Sequence, residues 1–360
     1  MPILSSSFIA CNYLQTHQVK YICMLNHVPN YLEHQYNLYD RSPKTGIVNV
    51  CELPERTVTI DSQGNCFLCI CEGWLPVSVG HIMEFNSLED IWQNDLAKTL
   101  QKDINDKKFT WCSVDQCGIR EGNMLQQQYF VSINVDESCN LQCPSCRIGL
   151  IRKDKGPEYE RKIRWTNYIV KLLENFTNPC HVTMSGNGDP LASRVYRSFV
   201  LHMKPIQNVT FQFKTNGLLM RKLLPKSPIL SQITEYSVSV DAGDGNTYEK
   251  VRLGGSWKQL IDNLNWLKET AQRYSASVHL NFCFQNSNYN SVSAFADLCE
   301  QYGFDGQIRR IENWGTFKDF QSENVLNGKH PNYELALIEL KKVASQRHIN
   351  IYGDASVLVN

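Results

Sequence analysis

Three cysteines stand close together in the segment CNLQCPSC: Cys139, Cys143 and Cys146. A C-x3-C-x2-C spacing puts three thiolates on one loop. Thiolates hold iron–sulfur clusters, usually four to a cluster. Three hold three corners of a cubane and leave the fourth iron open. An open coordination position separates a catalytic metal centre from a closed structural one. Zinc is the competing occupant; it would want a fourth Cys or His nearby, and the nearest downstream histidine is His181. A second group lies upstream: Cys51, Cys66, Cys69, Cys71, Cys112 and Cys117. Four cysteines suffice to close one cluster, and a structural zinc ribbon is the alternative.

The chain carries 14 cysteines in 360 residues. Its N-terminal stretch has neither a basic n-region nor a convincing apolar core, so no export signal is expected and a cytoplasmic location is. Clustered cytoplasmic cysteines read as metal ligands rather than disulfides. The scattered ones (Cys11, Cys23, Cys180, Cys283, Cys299) read as small buried hydrophobes. Lys+Arg and Asp+Glu are both 36, so the net charge is zero. A globally basic nucleic-acid binder is disfavoured. No apolar run reaches the roughly 18 residues of a membrane helix, and no membrane partner is expected.

These cysteines must be positioned by something. Ser87 followed by Asp90 is a capping-box pattern, and Leu88, Ile91, Trp92 and Leu96 recur at helical spacing behind it. Beyond about residue 125, β-rich runs alternate with helical stretches. The runs are 131–135, 181–185, 208–213, 235–240, 277–284 and 307–311. Between the first two, Trp165, Ile169, Leu172, Leu173 and Phe176 form one apolar helical face; Leu260, Leu264 and Leu267 do the same later. Alternating strand and helix implies a parallel sheet. Every run ends in a polar or Gly-rich loop, and active sites of parallel barrels lie at that end. A helix over about 332–347 and a short apolar segment near 349–352 follow.

The cysteine loop after the first of six such strands resembles the radical S-adenosylmethionine (SAM) superfamily over roughly residues 125–315. The resemblance implies an α/β fold: a partial (β/α)6 TIM-like barrel. It also implies a [4Fe–4S] cluster whose open iron chelates the amino and carboxylate groups of S-adenosylmethionine. One electron then cleaves the sulfonium to methionine and a 5′-deoxyadenosyl radical, which abstracts hydrogen from a C–H bond. Ser185, Gly186, Asn187, Gly188 and Asp189 stand where the family has its GGE-type motif for the methionine amino group, with Ser185 for the first Gly and Asp189 for Glu. Ser239 and Asp241 end the fourth strand, where the family often contacts the ribose and carboxylate of the cofactor. Arg252 is placed to pair with a carboxylate, against the alternative of a surface helix charge. Lys214, Thr215 and Asn216 end the third strand at the same cavity.

The spacing Cys51-x12-Gly64-x4-Cys69, followed by EFNSLEDIW and Cys112-x4-Cys117, resembles the SPASM and twitch auxiliary-cluster domains. Here the element precedes the barrel. The resemblance points to Cys51, Cys69, Cys112 and Cys117 as ligands of one auxiliary [4Fe–4S] cluster, with Cys66 and Cys71 as alternates. Two clusters are therefore expected in all. The expected organisation is an N-terminal segment (1–50), an auxiliary domain (51–125), the barrel (126–330) and a C-terminal helix and strand (331–360).

What the resemblance implies for function is hydrogen abstraction from a small amino-acid, sugar or modified-base group, free or attached to a carrier. The outcome is rearrangement (isomerisation), epimerisation or oxidation. An electron donor such as flavodoxin or ferredoxin is implied as partner. Similar proteins occur in phages, which suggests one specific version: hypermodification of thymidine in DNA, in a host cytoplasm, by isomerising an appended aminoacyl group. The basic run Arg152, Lys153, Lys155, Arg161, Lys162 and Arg164 would then meet phosphates, against the plainer reading of a solvated face. Maturation of ribosomal peptides is the alternative; residues 1–50 do not read as a leader-binding domain.

Overall fold

Val278, Leu280, Phe282 and Phe284 are buried and alternate with polar residues, the two-residue period of a strand. Phe211 and Phe213 repeat the pattern. In the computed structural model, which describes residues 27–33, 44–114, 117–120, 122–184 and 187–359, these alternations build one parallel sheet. The chain divides into two units: residues up to 132 with 171–180, and residues 133–170 with 181–360.

The first unit holds a small antiparallel sheet, β1 (Thr57–Ile60), β2 (Asn65–Phe67) and β3 (Ser78–His81). It also holds α1 (Leu88–Gln93) and α2 (Asp95–Asn105). The capping box at Ser87 and Asp90 is present. The single helix expected behind it is two. Asn94 leaves the helical region at ψ 161° and caps α2, its side chain accepting from the Ala97 N–H. Phe176 packs edge-on against Tyr129 at 4.9 Å and beside Trp92 at 6.1 Å, which is why 171–180 belongs to this unit.

The chain passes into the second unit within β4 (Tyr129–Ile133). There follow α3 (Pro157–Asn175), β5 (Cys180–Met184), α4 (Arg194–His202), β6 (Val209–Thr215), β7 (Ile233–Ser239), α5 (Gly245–Val251), α6 (Trp257–Tyr274), β8 (Ser277–Phe284), α7 (Val292–Tyr302) and β9 (Asp305–Arg310). All six expected strands are present, each shifted by at most two residues at either end. α8 (Tyr333–Ala344) and β10 (Ile349–Tyr352) complete the unit. The sheet order is β10-β9-β8-β7-β6-β5, and every pairing from β6 to β10 is parallel. This is the α/β parallel architecture of a partial barrel. The C-terminal segment adds a strand to that sheet instead of standing apart from it.

The two faces of the sheet differ in chemistry. Phe199 of α4 packs on Phe211, and Phe295 of α7 packs on Phe282, so the apolar face lies under the helices. The opposite face carries His181, Thr183, Gln212, Glu235, Ser237, His279 and Asn281. Thr183 donates to Gln212, Gln212 donates to Glu235, and Asn281 donates to Ser237. A closed barrel interior is normally filled with branched apolar residues; this face is polar. Among the described residues, no helix is long and apolar enough to cross a membrane.

The basic run after the cysteine loop is not a uniform solvated face. Lys162 is fully buried, with its ammonium 3.3 Å from Asp136 Oδ1 and 3.2 Å from Glu158. Lys153 pairs with Glu137 at 3.0 Å and with Glu158 at 2.7 Å. Asp136 also accepts from Ser193 Oγ. Lys162→Met would leave that carboxylate buried without its cation. The expected cost is about 3–5 kcal/mol, read as a lower urea midpoint; an unchanged midpoint would show that the pair contributes nothing.

Candidate iron–sulfur and cofactor site

The cysteine loop begins at the C-terminal end of β4 and is tied shut at its base. The Cys139 N–H donates to Ile151 O at 3.0 Å, and the Lys153 N–H donates to Ser138 Oγ at 2.9 Å. The Cys146 and Arg147 N–H groups both donate to Cys143 O, forming a tight turn. Cys139 and Cys143 are buried, and Cys146 is exposed. The β5 loop presses closely on this one. A Cβ on Gly188 would sit 2.6 Å from Ser138 O and 2.9 Å from Asp136 O, so only glycine fits.

Each of the three sulfurs faces one side-chain N–H donor, and the Leu141 N–H also reaches Cys139. Asn216 Nδ2 lies 3.7 Å from Cys139 Sγ, Arg252 Nη1 lies 3.6 Å from Cys143 Sγ, and Arg147 Nη2 lies 3.4 Å from Cys146 Sγ. The donors are themselves fixed. Asp189 Oδ2 accepts from the Asn216 N–H at 2.8 Å and from Thr215 Oγ1 at 2.7 Å. Its Oδ1 accepts from the Leu191 and Ala192 N–H groups. The acid expected to receive the cofactor's ammonium is thus buried and saturated by the chain's own donors. Burial raises its carboxyl above the ordinary value, against the pull of those donors.

Asp241 and Arg252, expected to address the cofactor separately, are brought together. Arg252 Nη2 stands 2.8 Å from Asp241 Oδ2, and both side chains are largely buried, which removes the surface-charge alternative for Arg252. Asp241 Oδ1 accepts from the Cys283 N–H at 2.7 Å, and Asp241 holds a left-handed backbone at φ 61°. Burial raises the Asp241 carboxyl, and the Arg252 guanidinium acts against that rise. Arg252 Nε is buried without a hydrogen-bond partner, a donor that an anionic ligand group would satisfy. Ser239 is half-buried and ends β7 on the polar face. Asn187 is exposed, and its carbonyl accepts from Arg147 Nη2 at 3.0 Å. Ser185 and Gly186 lie outside the described residues. Sequence reasoning missed Arg147. Its signal was its place directly after the third cysteine, where it is the nearest cation to that thiol.

In the first unit, Cys51, Cys69, Cys112 and Cys117 line one small cavity. Leu53, Leu68, Trp74, Ile104, Phe109 and Met124 complete its apolar wall. Cys66 and Cys71 do not line it. Cys66 is buried in β2, opposite Ile60. Three devices place three of the four. A bridge to Met124 pins Cys51. The β1–β2 hairpin delivers Cys69, whose carbonyl accepts from Thr59 Oγ1. Its turn needs Gly64 at φ +84°, where a Cβ would meet His81 Nε2 at 2.3 Å. Cys112 follows α2, and its N–H donates to Phe109 O. Burial pushes the Cys51 thiol up to about 11 and raises those of Cys69 and Cys112. Four thiolates in an apolar wall would require a compensating cation, which a bound iron–sulfur cluster would supply. Among the described residues, no three His, Cys, Asp or Glu converge on one ion; thiolates of a cubane bind separate irons.

Two family models match the chain. The model of the radical SAM superfamily matches residues 133–299. The SPASM model, an iron–sulfur cluster-binding domain, matches residues 51–118. This chain carries a radical SAM domain with a SPASM domain N-terminal to it. The radical SAM domain implies a [4Fe–4S] cluster and S-adenosylmethionine, and the SPASM domain implies further iron–sulfur. No curated protein matches the chain. Among solved structures, Streptococcus suis SuiB bound to S-adenosylmethionine is 14% identical, with 62% of this chain and 50% of that one covered at a TM-score of 0.45. A radical SAM methyltransferase from Sphaerobacter thermophilus is 14% identical, with 61% and 64% covered at 0.40. The chain spans about half the length of SuiB.

Cys112→Ala is expected to lose about four irons per chain, while Cys71→Ser keeps the full count. Iron loss in Cys71→Ser with none in Cys112→Ala would reverse the ligand assignment.

Proposed function

We propose that the protein is a radical SAM enzyme acting on a small polar group, an amino-acid, sugar or modified-base moiety, to rearrange, epimerise or oxidise it. When bound, the cluster and S-adenosylmethionine supply a 5′-deoxyadenosyl radical that takes hydrogen from an unactivated carbon. The observation that carries this reading is the three-cysteine loop at the end of β4, with one side-chain N–H donor on every sulfur.

The chain's own residues hold and orient. Asp189 fixes the end of β6 through Thr215 and Asn216. Asp241 fixes Arg252 against Cys143. The polar sheet face, with His181, Glu235, Ser237 and Asn281, offers hydrogen-bond partners to a polar substrate and few apolar walls for a hydrophobic one. Four of the six cysteines of the SPASM domain line the cavity and support one auxiliary cluster, and among the described residues no fifth cysteine lines it.

The DNA version loses part of its support. Two of its six basic residues, Lys153 and Lys162, are paired with Glu137, Glu158 and Asp136. Among donors, a low-potential flavodoxin or ferredoxin suits one-electron reduction of such a cluster.

Cys143→Ala is expected to give a folded protein that forms no 5′-deoxyadenosine from S-adenosylmethionine with dithionite. Retained cleavage would contradict the assignment of the site.

A further inference from the structure

We propose that Asn216, Arg252 and Arg147 set the reduction potential of the three-cysteine cluster, each acting on one thiolate. The inference rests on the radical SAM reading of the site. These are positioning residues, acting through the sulfurs.

The geometry pairs the groups one to one. Asn216 serves Cys139, Arg252 serves Cys143 and Arg147 serves Cys146, at 3.7, 3.6 and 3.4 Å. Two of the three donors carry a full positive charge. Each is held by groups other than the sulfur it serves. Asn216 is held by Asp189 through its backbone N–H, and its amide also donates to Asn140 Oδ1 at 2.8 Å. Arg252 is held by Asp241. Arg147 donates from Nη1 to Glu137 O and from Nη2 to Asn187 O, both at 3.0 Å. The donors therefore stay aimed at the sulfurs without relying on the sulfurs to hold them.

A cluster bound by thiolates gains one negative charge when it takes an electron. Hydrogen bonds and positive charge at the sulfurs stabilise the reduced form more than the oxidised one, so the potential rises. The effect is strongest in a low-dielectric setting; Cys139 and Cys143 are buried, and at the exposed Cys146 the Arg147 side chain is itself buried. Arg252 has its own counter-ion in Asp241, which lowers its net field at Cys143. Among the described residues, the partners of Arg147 besides Cys146 are carbonyls, so its charge acts on the cluster with less compensation. Arg147 is accordingly expected to have the larger effect.

The test uses the full-length holoprotein without substrate. Reduction is followed by EPR against solution potential, on the signal that S-adenosylmethionine perturbs, with iron counted in parallel. Arg147→Met is expected to keep its iron and to lower the one-electron reduction equilibrium about tenfold, a shift of about 59 mV to more negative potential. Arg147→Lys keeps the charge and is expected to recover part of that shift. Asn216→Leu is expected to move the potential in the same direction by a smaller amount. Variants with full iron and wild-type potential would overturn the proposal. Loss of iron from both Arg147→Met and Asn216→Leu would also overturn it, by making these residues scaffold. A wild-type protein with no signal that S-adenosylmethionine perturbs would instead sink the radical SAM reading itself.

Discussion

A thiolate withdrawn from water needs positive charge or hydrogen-bond donors around it. Two such thiols, Cys139 and Cys143, and the exposed Cys146 beside them must be served together at the mouth of this sheet, on a loop of eight residues from Cys139 to Cys146. The loop itself supplies one donor, the Leu141 N–H to the Cys139 thiol, while other N–H groups of the loop close the Cys143 turn and the Cys139–Ile151 base. The side-chain donors come from outside the Cys139–Cys146 span. Arg147 follows directly, Asn216 comes from the end of β6, and Arg252 follows α5.

That requirement orders the rest of the second unit. Parallel strands bring their C-terminal ends to one edge, so β4, β6 and β7 can each contribute there. Two buried carboxylates translate strand position into side-chain aim. Asp189 couples the β5 loop to β6. Asp241 couples the β7 end to Arg252 and, through the Cys283 N–H, to β8. Both acids are raised by burial and held by donors, so each depends on the contacts it organises. Gly188 permits the close approach of the β5 loop to the cysteine loop.

Much of this was legible in the residues. The strands announced themselves as β-rich runs between helical stretches, and the cysteine spacing pointed to an iron–sulfur cluster. The four auxiliary ligands were separable from Cys66 and Cys71 only by resemblance; the physical reason is that Cys66 sits in a paired strand and Cys71 falls outside the cavity. What could not be read was pairing between distant residues. Asp189 looked like a ligand for an ammonium because it ends a Gly-rich loop, yet four donors from three other residues' backbones and one hydroxyl fill it. Lys162 looked solvated because charged neighbours surround it in sequence; its buried partner, Asp136, lies 26 residues earlier. Asn94 split a helix because its side chain competes for a backbone N–H, a local choice that apolar periodicity does not register.

The central claim is that this chain holds two iron–sulfur sites, one closed by four cysteines and one open on three. The most direct measurement is made on anaerobically reconstituted wild-type protein: iron, sulfide and zinc per chain, then 5′-deoxyadenosine formed with dithionite and S-adenosylmethionine. The account predicts about eight irons with matching sulfide, and 5′-deoxyadenosine. Stoichiometric zinc, with no iron and no 5′-deoxyadenosine, would contradict it.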